Sequence, residues 1–302
     1  MSLSISRISL PRRLTQDPRY YQIGILSLLL SYGVLFLDFE ITLTRAIAIL
    51  AAALFTQYVC SRVWKLPAFD PRSALTSSLS LCLLLRTNFI SIAVAAAIFT
   101  IASKFIFRRN GKHIFNPSNF GLIAAMALTG NAWISAGQWG SAAFFTFLVA
   151  CLGGFVIHRS SRSDVTLAFI AAYVSILFGR ALWLGDPFAI PLHQLQNGAF
   201  LLFAFFMISD PRTTPDSRAG RILFASLVAI GAASIQFGLY RTNGLLWSLV
   251  FFSMTVPVID WLFPGKQYAW KQADKTRRPL HQQATQGATN ENDPGHHKPL
   301  PV

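Results

Sequence analysis

Apolar blocks separated by short polar stretches run the length of the chain. They lie near residues 21–37, 41–61, 74–85, 89–106, 119–129, 140–157, 165–184, 198–208, 221–238 and 245–262. A helix rises about 1.5 Å per residue, so a hydrocarbon core of about 30 Å asks for about 20 residues. Four blocks fall short of that or are broken. The third follows Asp70-Pro71, and the fifth follows Asn116-Pro117-Ser118-Asn119. The eighth follows Gln196-Asn197 and ends in Ser209-Asp210-Pro211; the tenth follows Thr242-Asn243-Gly244 and is interrupted by Pro257 before Asp260. The defective blocks are thus numbers three and five of each successive group of five. Five crossings per half is odd, so the second half must run inverted with respect to the first. Interrupted helices at matching places of an inverted repeat point to a site between the repeats. The pattern therefore predicts an all-α polytopic membrane protein of about ten helices in a 5+5 inverted repeat. Residues 1–19 read as a tail, 20–131 as the first repeat, 132–263 as the second and 264–302 as a disordered second tail.

Composition agrees with the pattern: 53% of the 302 residues are hydrophobic and only 13% charged. A net charge of +14 invites a nucleic-acid reading, but the positions of the charges argue against one. With the N-terminus inside, ten crossings put 22 of the 26 Lys and Arg on the cytoplasmic side and leave only Arg45, Arg86, Arg180 and Arg241 outside. That is the positive-inside rule, and dropping one short block would destroy it. The charge encodes topology, with both termini cytoplasmic and no nucleic acid as partner. Residues 1–19 carry four Arg but no apolar core, so no cleavable leader is expected there. Cys60, Cys82 and Cys151 are isolated in apolar blocks, which favours inert buried thiols over a metal or iron–sulfur site. His281, His296 and His297 fall in the polar tail, while His113, His158 and His193 flank spans.

Irregular backbone is not viable against lipid, so the starts of the broken helices must be buried in protein or line a wet cavity. A helix N-terminus there offers free N–H groups and partial positive charge, suited to an anion, a carbonyl or the edge of a flavin ring. Asn116, Ser118, Asn119 and Asn243 can serve at these starts as caps or as ligands. Asp210 and Asp260 end broken segments, and Asp70 stands at the matching entrance of the third. Each is either a structural carboxylate or part of an ion or proton path. Lys104 and Arg180 sit near span ends, where a long side chain can snorkel. Phe203, Phe205 and Phe206 could stack on a ring, although core packing is the simpler reading.

Several stretches are similar to the RnfD/NqrB family, the membrane subunits of Rnf-type and sodium-pumping NADH:quinone oxidoreductase complexes. Lys104, followed by Gly111 and Phe115-Asn116-Pro117-Ser118…Gly121, resembles the family's Lys…Gly-x-x-x-Phe-Asn-Pro-Ala-x-x-Gly. Phe205-Phe206-Met207-Ile208-Ser209-Asp210-Pro211-Arg212-Thr213-Thr214…Gly220-Arg221 resembles Phe-Phe-x-Ala-Thr-Asp-Pro-Val-Thr…Gly-Arg. Gly238-Leu239-Tyr240…Gly244…Val256-Pro257-Val258-Ile259-Asp260 resembles Gly-Gly-Tyr-Pro-x-Gly…Val-Pro-Leu-Ile-Asp, and Asp70…Ser73-Ala74-Leu75-Thr76 resembles Asp-x-Ser-Ala-Leu-Val-Thr. The motifs run in order from about residue 65 to 263. The resemblance implies ten helices and a place in a flavin-linked complex that passes electrons to quinone or ferredoxin while moving Na⁺ or H⁺. It also brings Thr213 and Thr214 into the candidate site, beside Asp210.

One departure matters. The family attaches FMN through the Thr of a Ser-Gly-Ala-Thr loop after the Phe-Asn-Pro helix, and that sequence occurs nowhere here. Covalent FMN is not expected, which leaves non-covalent FMN or riboflavin as the cofactor reading. No nucleotide loop, metal cluster or catalytic constellation is legible, so the chemistry of NADH or ferredoxin would come from partner subunits. The alternatives are a non-redox carrier or channel on the same scaffold, and a membrane scaffold for redox partners. A bacterial plasma membrane is the expected setting.

Overall fold

A computed structural model describes residues 17–37, 39–66, 68–134 and 163–268. The sixth apolar block, Cys151, His158 and most of the polar tail lie outside the described residues. Helix α1 (Pro18–Phe36) is followed by α2 (Leu43–Val63), whose first turn is capped by the Thr42 hydroxyl. Asp70 caps α3 (Pro71–Leu84), with proline at the first helical position, where a missing N–H costs nothing. A short strand β1 (Leu85–Thr87) leads to α4 (Ile90–Ile106). Strands β2 (Arg108–Arg109) and β3 (Lys112–His113) form a hairpin turned by Asn110 and Gly111, both at positive φ. Helix α5 (Pro117–Thr129) is again an Asn-capped, proline-started helix and ends on Gly130 in the left-handed conformation. Strand β4 (Ala132–Ile134) then returns to pair antiparallel with β1, setting Arg86 opposite Trp133.

The second part of the chain opens with α6 (Ser163–Leu184) and the short α7 (Ala189–Leu195). Asn197 caps α8 (Gly198–Leu202), which passes directly into a π-helical turn at Phe203–Met207. Helix α9 (Arg218–Ala233) carries a second π turn at Ser234–Gly238. The last block is broken, as expected, into α10 (Gly244–Ser253) and α11 (Val256–Leu262), bent by 53°. The break falls slightly earlier than the proline suggests. It lies at Met254–Thr255, and Pro257 sits within the first turn of the following helix, where its ring is tolerated.

Among the described residues, three helices are long and apolar enough to cross a membrane: Leu43–Val63, Ser163–Leu184 and Arg218–Gly238. The bent pair α10–α11 makes a fourth if it is one span. The shorter α4 is carried along by tight packing on α5. Ala93, Ala96 and Ala97 of α4 are fully buried, and a Cβ at Gly121 would lie 1.8 Å from the Thr100 hydroxyl and 2.8 Å from the Ala96 carbonyl. Close backbone approach through small residues is how helices associate where lipid removes the hydrophobic drive. Helices α9 and α10 use the same device, with Gly244 facing the Ala232 carbonyl, which a Cβ would approach to 2.6 Å. Outward faces carry Phe55, Trp183 and Trp261, all largely exposed, as a lipid-facing surface requires.

Candidate functional site

Three contacts from the start of α5 tie the broken segments together. The Asn116 amide donates to the Met207 carbonyl at 3.1 Å, reaching the π turn after α8. The Ser118 hydroxyl donates to the Ser77 carbonyl of α3 at 3.3 Å. The Asn119 amide donates to the Leu246 carbonyl of α10 at 3.0 Å. All three side chains are buried. The sequence left cap and ligand open for these residues, and Asn116 is plainly a cap, since its Oδ1 accepts from the Asn119 N–H at 3.1 Å. Asn119 is different. Its Oδ1 is buried and has no hydrogen-bond partner. A buried amide oxygen left unbonded costs on the order of 1–3 kcal/mol.

The directions of the helices follow from their neighbours. Lys112, just ahead of α5, contacts Asp260 near the end of α11, so α5 leaves the face at which α11 arrives. Helices α5 and α10 therefore meet by their first turns and run away from each other. Asn243 begins α10 in the left-handed conformation (φ 62°), and its side chain makes no cap bond. This start is also recessed: Gly244 packs beside Ala232, ahead of the π turn that ends α9 at Gly238.

The carboxylates gather at the hairpin face. Asp70 pairs with Arg19 and with Arg72 Nε at 2.8 Å. Burial raises its pKa, but hydrogen bonding and charge from Arg72 and Arg19 outweigh that and hold it below the usual carboxylate range. Asp210 anchors a turn: its Oδ1 accepts from Arg212 N at 3.0 Å and its carbonyl from the N–H groups of Thr213 and Thr214. The Thr213 hydroxyl also donates to that carbonyl, whereas the buried Thr214 hydroxyl has no partner. Asp260 accepts from Lys112 Nζ at 2.7 Å and from Asp216 N at 2.7 Å, while Asp216 binds the same ammonium at 3.0 Å.

Lysines are what sequence reasoning undervalued. Lys104 does not snorkel: it is 4% exposed and donates to the Ser73 carbonyl at 2.7 Å and the Ser73 hydroxyl at 3.0 Å. Lys112 holds two carboxylates of the second half, a contact for which a charge in a polar hairpin gives no signal. Arg221 likewise pairs with Asp164, joining α9 to the start of α6. Phe203, Phe205 and Phe206 are buried in the core, Phe203 against Phe169 at 5.1 Å between ring centres, so packing accounts for them. Cys60 and Cys82 are buried and free, and no cluster of metal ligands occurs among the described residues.

The Thr129 hydroxyl, in the last turn of α5, donates back to the Ala125 carbonyl at 2.6 Å. Ser135 lies outside the described residues.

Apolar helices that meet through buried polar side chains define a multi-pass membrane protein. Residues 128–269, just under half of the chain, match the model of the NQR2, RnfD, RnfE family, and over this stretch the chain is similar to those proteins. The motifs around Asp70 and Asn116 lie ahead of that range. The D subunit of the ion-translocating oxidoreductase complex of Alcanivorax borkumensis is 32% identical over 143 residues, covering 46% of this chain and 39% of the relative. Its counterpart in Cronobacter sakazakii is 31% identical over 167 residues, covering 53% and 44%. That of Pectobacterium carotovorum is 29% identical over 154 residues, covering 49% and 40%. The matched stretch thus spans less than half the length of these curated relatives.

Proposed function

We propose that the protein is an RnfD-like integral subunit of a membrane electron-transport system coupled to the movement of Na⁺ or H⁺. The observation that carries the reading is the junction at α5. Four short or broken segments are hydrogen-bonded through Asn116, Ser118 and Asn119 at the start of α5, within a chain whose residues 128–269 match the NQR2, RnfD, RnfE family and which is similar to D subunits of ion-translocating oxidoreductase complexes. In this reading the chain makes ten crossings in two inverted halves, 20–131 and 132–263, in a bacterial plasma membrane. The hairpin face is cytoplasmic, in keeping with Arg108, Arg109, Lys112, Arg212 and Arg218 on it. Asn119 and Thr214, each with a buried oxygen left without a partner, are the residues most suited to meet a transported ion or a cofactor edge. Asp70 and Asp260 are held by Arg and Lys partners, which suits the control of an entrance better than direct ion binding.

Any flavin is held non-covalently, and electrons reach it through other membrane redox subunits, with quinone or ferredoxin engaged by those partners. The test is an absorption spectrum of the purified, detergent-solubilised protein before and after acid extraction, beside an in-gel fluorescence scan after denaturation. Extractable flavin with no fluorescent band is the expected result. A colourless protein would favour the non-redox carrier on the same scaffold, and a flavin phosphoester found by peptide mass analysis would restore covalent attachment.

A further inference from the structure

Two of the four arginines that break the positive-inside pattern share one site. Arg180 is paired with Asp186 at 3.2 Å and stacks over Phe237, and Arg241 is exposed. The other two, Arg45 and Arg86, line one cavity of about 480 Å³ at the β1–β4 face, the size of a small-molecule site. Arg86 is 1% exposed, donates to the carbonyls of Cys82, Leu83 and Leu85 at the end of α3, and lies over the Phe39 ring at 5.1 Å. Burial lowers its pKa to about 10; Arg45 acts in the same sense, against the opposing charge of Glu40.

Arg45 is placed against its own electrostatics. It stands in the first turn of α2, where the helix dipole is positive and cations destabilise, and that turn holds no acid. Its side chain donates to the Glu40 carbonyl at 3.3 Å, and its Nε is buried without a partner. Thr87 and Asn88, just ahead of α4, bring a second helix start to the cavity, and Trp133 supplies an aromatic wall. Arg86 is already held by backbone carbonyls and by the Phe39 ring, so it lends the cavity positive charge. Arg45 and the start of α4 bring N–H donors to the same space, and an oxyanion suits that combination. Glu40 is the acidic residue among those lining the cavity.

We propose that this cavity binds an oxyanion, a phosphate or carboxylate group, with Arg45 as its principal donor. The group reaches the cavity either on a lipid headgroup or on a soluble small molecule. The test uses the full chain in nanodiscs of neutral phosphatidylcholine, titrated with inorganic phosphate and with succinate and followed by thermal shift and calorimetry. A parallel set is made with phosphatidylglycerol and no added anion. Saturable stabilisation in neutral discs identifies a soluble anion; stabilisation only in phosphatidylglycerol identifies a headgroup. In either case R45Q should weaken the effect about ten-fold or more, the loss of a charge-assisted pair. E40Q should strengthen it, and R241Q, which lies outside the cavity, should leave it unchanged. R45Q without ligand should be at least as stable as the parent, which separates lost binding from misfolding. No saturable response in either set, or an equal response in R45Q, would overturn the proposal.

Discussion

The Asn119 side chain joins α5 to the Leu246 carbonyl of α10 at 3.0 Å, yet its own carbonyl oxygen is buried without a partner. Its neighbour Asn116 has both ends of its amide engaged. The two substitutions should therefore separate. Asn116→Ala loses a cap and a tertiary bond and should cost about 1–2 kcal/mol, read as a lowered Tm, with ion-coupled activity of the folded fraction retained. Asn119→Leu should cost activity out of proportion to its Tm. An Asn119→Leu protein with unchanged coupled transport would remove this residue from the site.

Gly121 tests how closely α4 and α5 must approach. Alanine there puts a methyl group against the Thr100 hydroxyl and the Ala96 carbonyl, an overpacking cost of about 1–3 kcal/mol. Thr100→Ala removes the nearer obstacle and should restore part of the loss in the double variant. Additive losses in the double variant would show that the contact is not limiting.

Acid should weaken the hairpin face through His113. Burial, reinforced by the charges of Lys104, Arg212 and Arg108, lowers its pKa from 6.5 to about 3. Between those values the unfolded chain binds a proton that the folded chain does not, so stability rises with pH across that window and falls as pH drops from about 6.5 towards 3. His113→Gln should flatten the pH dependence of Tm in that range. A parent profile no steeper than that of the variant would refute the assignment. Asp70 acts lower on the scale: its depressed pKa gives stability that is present above about 3.8 and lost as pH falls further.

Topology can be read with reporter fusions. Fusions at Arg162 and Arg278 should report cytoplasm, and one at Asp186 the outside. An outward reporter at Arg278 would mean that one short segment does not cross.

What the sequence determined by itself was the periodic distribution of apolar length, proline, asparagine and charge. It located the breaks at Asp70, Asn116, Asn197 and the Met254–Pro257 region to within a few residues, because caps, prolines and short apolar runs are local properties of the chain. It also set Arg45 and Arg86, together with Arg180 and Arg241, apart from the other 22 basic residues. Tertiary structure alone decided which of these features meet. No local pattern tells that Asn119 will find a carbonyl 127 positions away, or that Lys112 will sit between Asp216 and Asp260. Nor could a snorkelling lysine be told from a buried one at position 104, since both need only an apolar stem near a helix end. The pairing of β1 with β4 was equally hidden: three residues in each strand are too few for any alternation to show. Those contacts depend on how closely the helices pack, and hence on small residues such as Gly121 and Gly244, whose partners exist only once the chain has folded.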